Sequence, residues 1–266
     1  MTTEQAKQLA ENALNTLIEA LEKGQSEALR NYLAAMGRFH KYSFGNCLLI
    51  ASQMPDASRV AGFQTWLKLR RYVRKGEKGI VILAPMVGRK RPDKDDVGDT
   101  DETRVFGFRA AHVFDISQTG GEPLAEFAET KGDPQDFTER LKGLIAERAI
   151  ALDYSEKIAP AKGVSAGGAI TLLPGMAPAE EFAVMVHEVA HERLHAGVRR
   201  SETSKTVRET EAEAVAFVVC QAIGLDTNTA AADYIALYAG DKATLTESLG
   251  LIQQTAAEIL QGIGTG

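Results

Sequence analysis

The sequence is poor in cysteine, tryptophan and histidine: its 266 residues include two cysteines, one tryptophan and five histidines, and aromatic side chains make up only 6% of it. Cys47 and Cys220 have neither metal-site nor redox spacing and fall within apolar helical patterns. This excludes a disulfide framework and marks both as reduced core residues of a cytoplasmic protein. No run approaches the roughly 18 consecutive apolar residues of a membrane span. The opening segment, MTTEQAKQLAENALNTLIEALEKG, reads as a polar-capped amphipathic helix without the basic start and apolar stretch of a signal peptide. Internal repeats and low-complexity tracts are also lacking. The expectation is a soluble protein with no membrane partner, long enough for one large or two ordinary domains.

Three of the five histidines, His187, His191 and His195, are spaced four apart. The stretch AEEFAVMVHEVAHERLH, from Ala179 to His195, reads as one helix. Pro178 suits its first turn, Gly197 its end, and Phe182, Met185, Val186, Val189 and Ala190 supply its apolar stripe. Four helical residues correspond to about 6 Å of rise and roughly 40° of rotation, so His187 and His191 project from one face, as a catalytic zinc requires. Glu188 stands beside them, placed to take a proton from a water whose pKa the ion lowers toward about 7. This is the HExxH arrangement of metallopeptidases. His195 lies about 12 Å along the axis from His187, too far for one ion to bind all three rings of a straight helix, and reads as a structural or supporting residue. The longer H-E-x-x-H-x-x-G-x-x-H signature is excluded, because Leu194 and Gly197 occupy its glycine and histidine positions.

A glutamate from the next helix is the common third ligand. The segment TVRETEAEAVAFVVCQAI, from Thr206 to Ile223, offers Glu209, Glu211 and Glu213. Glu209 and Glu213 share a face. Glu209 is taken as the ligand, and Glu213 as the acceptor of a hydrogen bond from a ligand histidine, with the opposite assignment remaining open. Glu211 points away and reads as a solvated residue favoured by the helix dipole. His2Glu sites accept several ions, so the cofactor is Zn2+, with Mn2+ or another divalent ion as the alternative. Ahead of the histidine helix, Ala169–Leu173 reads as a strand, with Ala151–Tyr154 as its partner, joined through the glycine-rich stretch Lys162–Gly168. A strand edge beside the site can bind an extended peptide.

Net charge is −6, yet between Arg59 and Arg91 ten basic residues stand against one acid, Glu77. Such a cluster neutralises phosphates, and Tyr42, Phe44, Phe63, Trp66 and Tyr72 lie close by in sequence as stacking faces. Phe63, Trp66 and Leu69 read equally as the buried stripe of a short helix. Arg74–Gly79 is a basic glycine turn leading into a strand over Ile80–Pro85. Arg104–Ser117 forms a second extended segment, and the acidic run Pro92–Glu102 reads as a hairpin loop between them. Gly120–Pro134 has linker composition, Gln135–Ala151 reads as a helix, and Ala230–Ala239 and Ala243–Ile263 as closing helices. The fold class is α+β with two domains: an amino-terminal helical and antiparallel-sheet domain over 1–122, a linker over 123–134, and a mostly helical domain over 135–266.

Tyr42-Ser43-Phe44-Gly45-Asn46, Arg59-Val60-Ala61-Gly62-Phe63 with Trp66, Val73–Ile80 and Val113–Thr119 closely resemble the amino-terminal domain of ArdC-type antirestriction proteins. Cys47 departs from that pattern, standing where relatives commonly carry a polar residue. The resemblance extends over nearly the whole chain. It implies a single-stranded DNA-binding domain followed by a zincin-like metallopeptidase domain, in a protein of plasmids or other mobile elements that protects incoming DNA from host restriction. Carried over, the DNA contacts are Tyr42, Ser43, Asn46, Arg59, Trp66, Arg70, Arg74, Lys75 and Lys78, while Gln118 falls in a family motif without an assigned role. The mechanism expected is zinc-assisted peptide hydrolysis at His187, His191 and Glu209, with Glu188 as general base and Tyr234 or Tyr238 as candidate oxyanion partners. The protein substrate is unknown, a host restriction or regulatory protein being the expectation. Two other classes fit the residues: a single-stranded DNA-binding protein with a structural metal domain, and a repressor-cleaving protease resembling ImmA and IrrE.

Overall fold

The computed structural model describes residues 2–89, 103–122, 133–225 and 242–265. In chain order the helices and strands are α1 (Thr3–Glu22), α2 (Ser26–Arg38), α3 (Phe44–Gln53), β1 (Val60–Gly62), α4 (Phe63–Lys68), β2 (Arg71–Val73), β3 (Ile80–Arg89), β4 (Thr103–Asp115) and β5 (Thr119–Gly121). Then follow α5 (Phe137–Glu147), β6 (Ala151–Tyr154), β7 (Gly163–Ser165), β8 (Ala169–Leu172), α6 (Pro178–Leu194), α7 (Arg199–Glu202), α8 (Lys205–Ala222) and α9 (Lys242–Gly262). The class is α+β. Two compact units emerge, Met1–Asn15 with Leu48–Leu124, and Thr16–Cys47 with Ala125–Gly266. Residues 16–47, expected within an uninterrupted 1–122 domain, thus group with the later part of the chain.

In the first unit β1, β4 and β3 form an antiparallel sheet in that order, and β2 pairs with β5. Gly120 and Gly121, read from composition as linker, are therefore strand residues. The Gln53 amide pairs with the main chain of Val81, accepting at 3.0 Å and donating at 2.9 Å, and so satisfies backbone groups on β3. Asp115 ties three segments together. Its Oδ1 accepts from the backbone of Ser58 and Arg59 at 2.7 and 2.9 Å, and its Oδ2 from Ser117 at 2.8 Å. Burial opposes the charge of Asp115, but these hydrogen bonds prevail and hold its carboxyl below the ordinary aspartate range. Gln118 completes a capping box with the Asp115 backbone and donates to the Lys78 carbonyl at 2.8 Å. The motif residue without an assigned role is thus a brace for the basic turn. The acidic run 92–102 lies outside the described residues, as do most of the linker and the expected helix 230–239.

The second unit is built around α8, whose residues from Thr210 to Cys220 are all buried except Glu213. Such a helix, apolar nearly all round, needs neighbours on every side, and α2, α6 and α9 supply them. Gly37 of α2 permits the close approach, since a β-carbon there would lie 2.8 Å from the Val218 carbonyl oxygen. The glycine-rich stretch expected only to connect strands forms β7 itself. The sheet order is β6-β8-β7, with β6 parallel and β7 antiparallel to β8. Ile170 and Leu172 of β8 are fully buried, each contributing about 1.5–3 kcal/mol of burial. Helix α5 ends at Glu147 rather than continuing to Ala151, which opens β6 after Ala149 takes a left-handed φ of 55°.

Candidate metal centre

Helix α6 starts with Pro178 in its first turn and runs without a break through both histidines. Its register sets His187 Nε2 3.1 Å from His191 Nε2. Helix α8 enters after Ser204, whose side chain caps it by accepting from the Val207 N–H. One turn later Glu209 Oε2 lies 3.5 Å from each of those two nitrogens. On the same face Glu213 Oε2 stands 3.3 Å from His187 Nδ1. The outer nitrogen of His191 is engaged as well, with its Nδ1 2.9 Å from His195 Nδ1.

These residues fit a divalent ion. If each outer nitrogen carries the ring proton, both Nε2 atoms present bare lone pairs toward a carboxylate oxygen, and three acceptors converging without a donor call for a cation. The spacing agrees too: ligand atoms around a tetrahedral ion at about 2.0–2.1 Å sit roughly 3.3–3.4 Å apart. Charge in the neighbourhood favours ligation. Burial, the His187 ring and His195 push the His191 pKa down to about 4 against the pull of Glu209, leaving its lone pair free at neutral pH. His187 is shifted the opposite way: burial lowers it, but Glu213, Glu188 and Glu209 together raise it.

Glu188 is buried at 6% exposure, with its carboxyl against Gly163 of β7. Burial raises its pKa, His187 opposes this, and the carboxylates of Glu209 and Glu192 add to the rise. A cleft of about 530 Å3 opens over His187, Glu188, Glu209 and Glu213, walled by Val184, Ala216 and Phe217 among others. A second, of about 330 Å3, reaches His191, His195, Glu192 and Arg200. Strand β7 contributes Gly163 to the first and Ser165 to the second, so this edge strand passes from one cleft to the other beside the histidines. Glu192 fastens the turn after β7, accepting from Ser165 Oγ at 2.5 Å and from the Gly167 and Gly168 N–H groups at 2.9 and 2.6 Å.

Glu211 overturns its reading as a solvated residue. It is fully buried, and its carboxylate meets His195 Nε2 at 2.9 Å, the Arg199 guanidinium at 2.6 Å and the Ser248 hydroxyl at 2.6 Å. Burial works against its charge, yet these partners hold its pKa below the usual glutamate value. Sequence spacing could not find it, because its partner His195 lies on another helix. Tyr234 and Tyr238 lie outside the described residues.

The expected DNA contacts divide between the units. Tyr42, Ser43 and Asn46 belong to the second, where Asn46 is buried and Ser43 exposed. Burial raises the Tyr42 phenol pKa. Arg59, Arg70, Arg74, Lys75 and Lys78 are exposed in the first. Arg70 pairs with Glu122 at 3.3 Å and Arg74 with Glu77 at 2.9 Å. Trp66 differs from its expected role: only 2% exposed, with Nε1 donating to the Phe114 carbonyl at 2.9 Å, it fills core and offers no face to a base. Nor is there a buried stripe around it, because Phe63 and Leu69 are 47% and 45% exposed. Tyr72 remains as an exposed ring, lying across Gly120.

An α+β chain with two histidines of one helix and a glutamate of another gathered around a divalent-ion position is, by fold and site, a candidate metalloprotein. Residues 7–114 match the family described as the N-terminal domain of anti-restriction factor ArdC. The chain is 26% identical over 309 residues to an uncharacterized protein of Bacillus anthracis, covering 98% of this chain and 52% of that one, so it spans about half the relative's length. Its fold is similar to that of the antirestriction ArdC protein from the R388 plasmid. The metal-free crystal structure of that protein matches with a TM-score of 0.56 and 18% identity over 97% of this chain and 98% of the other. The Mn(II)-bound form matches with a TM-score of 0.54 and 18% identity over 96% and 98%. Among the described residues, no helix is long and apolar enough to cross a membrane.

Proposed function

We propose that the protein is an antirestriction factor of a mobile element, active in the cytoplasm of the cell receiving DNA, whose second unit is a zincin-like, metal-dependent peptidase and whose first unit binds single-stranded DNA. The observation that carries the hydrolytic part is the convergence of His187, His191 and Glu209 ligand atoms within 4.8 Å of one another, beside the buried Glu188 carboxyl. Those three residues would hold the ion, zinc or manganese, which supplies Lewis-acid polarisation of a carbonyl and of water. Glu188 takes the proton of the attacking water and passes it to the departing amine, a task suited to a carboxyl whose pKa is raised. Glu213 keeps the His187 ring oriented. The edge strand β7 holds an extended substrate by main-chain hydrogen bonds. The substrate is a protein, a host restriction or regulatory protein being the class that fits antirestriction. DNA binding draws on the exposed cations Arg59, Arg70, Arg74, Lys75 and Lys78.

The test is to load the chelator-stripped protein with Zn2+ or Mn2+ and incubate it with unfolded protein substrates, with and without single-stranded oligonucleotide, beside Glu188→Gln. Cleavage by the loaded wild type and none by a variant of equal metal content is the expected result. Absence of divalent-ion uptake, or equal cleavage by Glu188→Gln, refutes the hydrolytic reading. A fluorescent oligonucleotide titrated at two salt concentrations tests the other half, and salt-sensitive preference for single strands over duplex is expected.

A further inference from the structure

Behind the ligand pair a row of linked polar groups, buried at His195, Glu211 and Ser248, runs through the second unit. From His191 Nδ1 it passes to His195 Nδ1 at 2.9 Å, from His195 Nε2 to Glu211 Oε2 at 2.9 Å, and from Glu211 Oε1 to Arg199 and Ser248 at 2.6 Å each. The side chains of His195 and Glu211 are 0% exposed. No other pair in the unit sets a fully buried carboxylate against a fully buried imidazole among the described residues. A carboxylate withdrawn from water is costly even when paired, and apolar side chains of similar volume would serve packing as well or better.

The proton order along this row is fixed by its ends. Arg199 and the Ser248 hydroxyl donate to Glu211, whose oxygens can only accept. His195 must therefore present its N–H at Nε2. A neutral ring then leaves Nδ1 as an acceptor, His191 must donate from its own Nδ1, and the His191 lone pair is left at Nε2, the atom facing His187 and Glu209. With a proton on His195 Nδ1, two N–H groups would collide, or His191 would have to move its proton to Nε2 and lose its place as a ligand.

We propose that His195 and Glu211 are positioning residues of the metal centre: Glu211 sets the tautomer and tilt of His195, which sets those of His191, so that His191 offers Nε2 and no other atom to the ion. The inference rests on the metal-centre reading above. It extends the support of that centre beyond Glu213, which orients His187, to a separate chain that orients His191, anchored in α8 and α9 and in the Arg199 turn. Partners of this kind are worth 10–100-fold in metal affinity.

The test is Zn2+ affinity, measured by competition with a chromophoric chelator on full-length, chelator-stripped protein. The wild type is compared with His195→Phe, His195→Asn and Glu211→Gln, with the unfolding temperature of each metal-free form recorded. His195→Phe is expected to bind Zn2+ 10–100-fold more weakly. His195→Asn, whose amide oxygen can stand where Nδ1 stood, should recover most of that loss, which a mere packing role would not allow. Long-range 1H–15N spectra of the Zn2+-loaded wild type should show His195 protonated at Nε2 alone and His191 at Nδ1 alone. Should His195→Phe fail to fold, these spectra decide by themselves. Wild-type affinity in a folded His195→Phe, or a proton on His195 Nδ1 in the loaded protein, overturns the proposal while leaving the metal centre standing. A wild type that takes up no Zn2+ removes the centre and the proposal together.

Discussion

Gly163→Ala probes the site without altering any side chain proposed to hold the metal or move a proton. A β-carbon at Gly163 would stand 2.5 Å from Glu188 Oε1, 2.7 Å from Glu188 Cγ and 2.8 Å from Val184 Cγ1. Ordinary carbon contacts lie at about 3.5–4.0 Å, so Glu188 Cγ must retreat by roughly 0.8 Å or β7 must lift by as much. Moving the Oε1 end alone does not relieve the clash, because the stem atom is also too close. Since the carboxyl can swing into the cleft of about 530 Å3 in front of it, the stability cost should fall near the lower end of the overpacking range, about 1 kcal/mol. The effect on turnover should be larger, because a displacement of about 1 Å at a reacting group can cost on the order of 100-fold. Zn2+ affinity should change less than threefold, since no atom of His187, His191 or Glu209 is among the three nearest contacts of the added carbon. Thermal unfolding, Zn2+ competition and hydrolysis measured on one preparation separate the three effects. Undiminished turnover in Gly163→Ala would refute the view that β7 sets the position of Glu188, and a loss of affinity as large as the loss of rate would show that the strain falls on the ligands.

Gly37→Ala pushes a β-carbon against backbone, the Val218 carbonyl oxygen at 2.8 Å. Neither helix can yield by a rotamer change, so a loss of about 1–3 kcal/mol in chemical denaturation is expected. If Glu209 is the ligand and Glu213 the orienting residue, as proposed, Glu213→Gln should weaken Zn2+ binding by about 10–100-fold and Glu209→Gln by more; a larger loss in Glu213→Gln would reverse the two roles. Metal uptake should fall as pH drops through the raised His187 value, where the proton competes for the ligand, and isothermal titration across that window reads it. Asp115, with its carboxyl below the ordinary aspartate value of 3.8, contributes stability that is complete above that value and is lost as pH falls through the depressed one. Asp115→Asn should abolish this acid dependence and cost about 1–3 kcal/mol at neutral pH, since an amide cannot accept from Ser58, Arg59 and Ser117 all at once.

What could be seen in the sequence depended on whether a feature is carried by one element or shared between several. The histidine helix, the glutamate helix and the paired strands β3 and β4 each carry a period that a reader of letters can follow, and all appear within a few residues of the expected limits. Trp66 was ambiguous for a related reason. A short helix of six residues has room for one buried position, and spacing alone does not say which of Phe63, Trp66 and Leu69 takes it. Half of the work of Gln118 is local, a capping box whose D-x-x-Q spacing with Asp115 stands in the sequence, and only its donation to the Lys78 carbonyl is made across a chain separation that spacing cannot show.

Glu211 shows the limit most sharply. Helical spacing separates it from Glu209 and Glu213, and that inference was sound: it does not face the ligand pair. Pointing away from one site was then equated with pointing to solvent, which holds for a helix packed on one side only. Helix α8 is packed against α2, α6 and α9, so a residue turned from His187 turns instead toward His195, Arg199 and Ser248. In a central helix the face turned from the site is an interior face as well. A charged residue there has to be explained by its partners, and the partner of Glu211 is the histidine that closes the helix of His187 and His191.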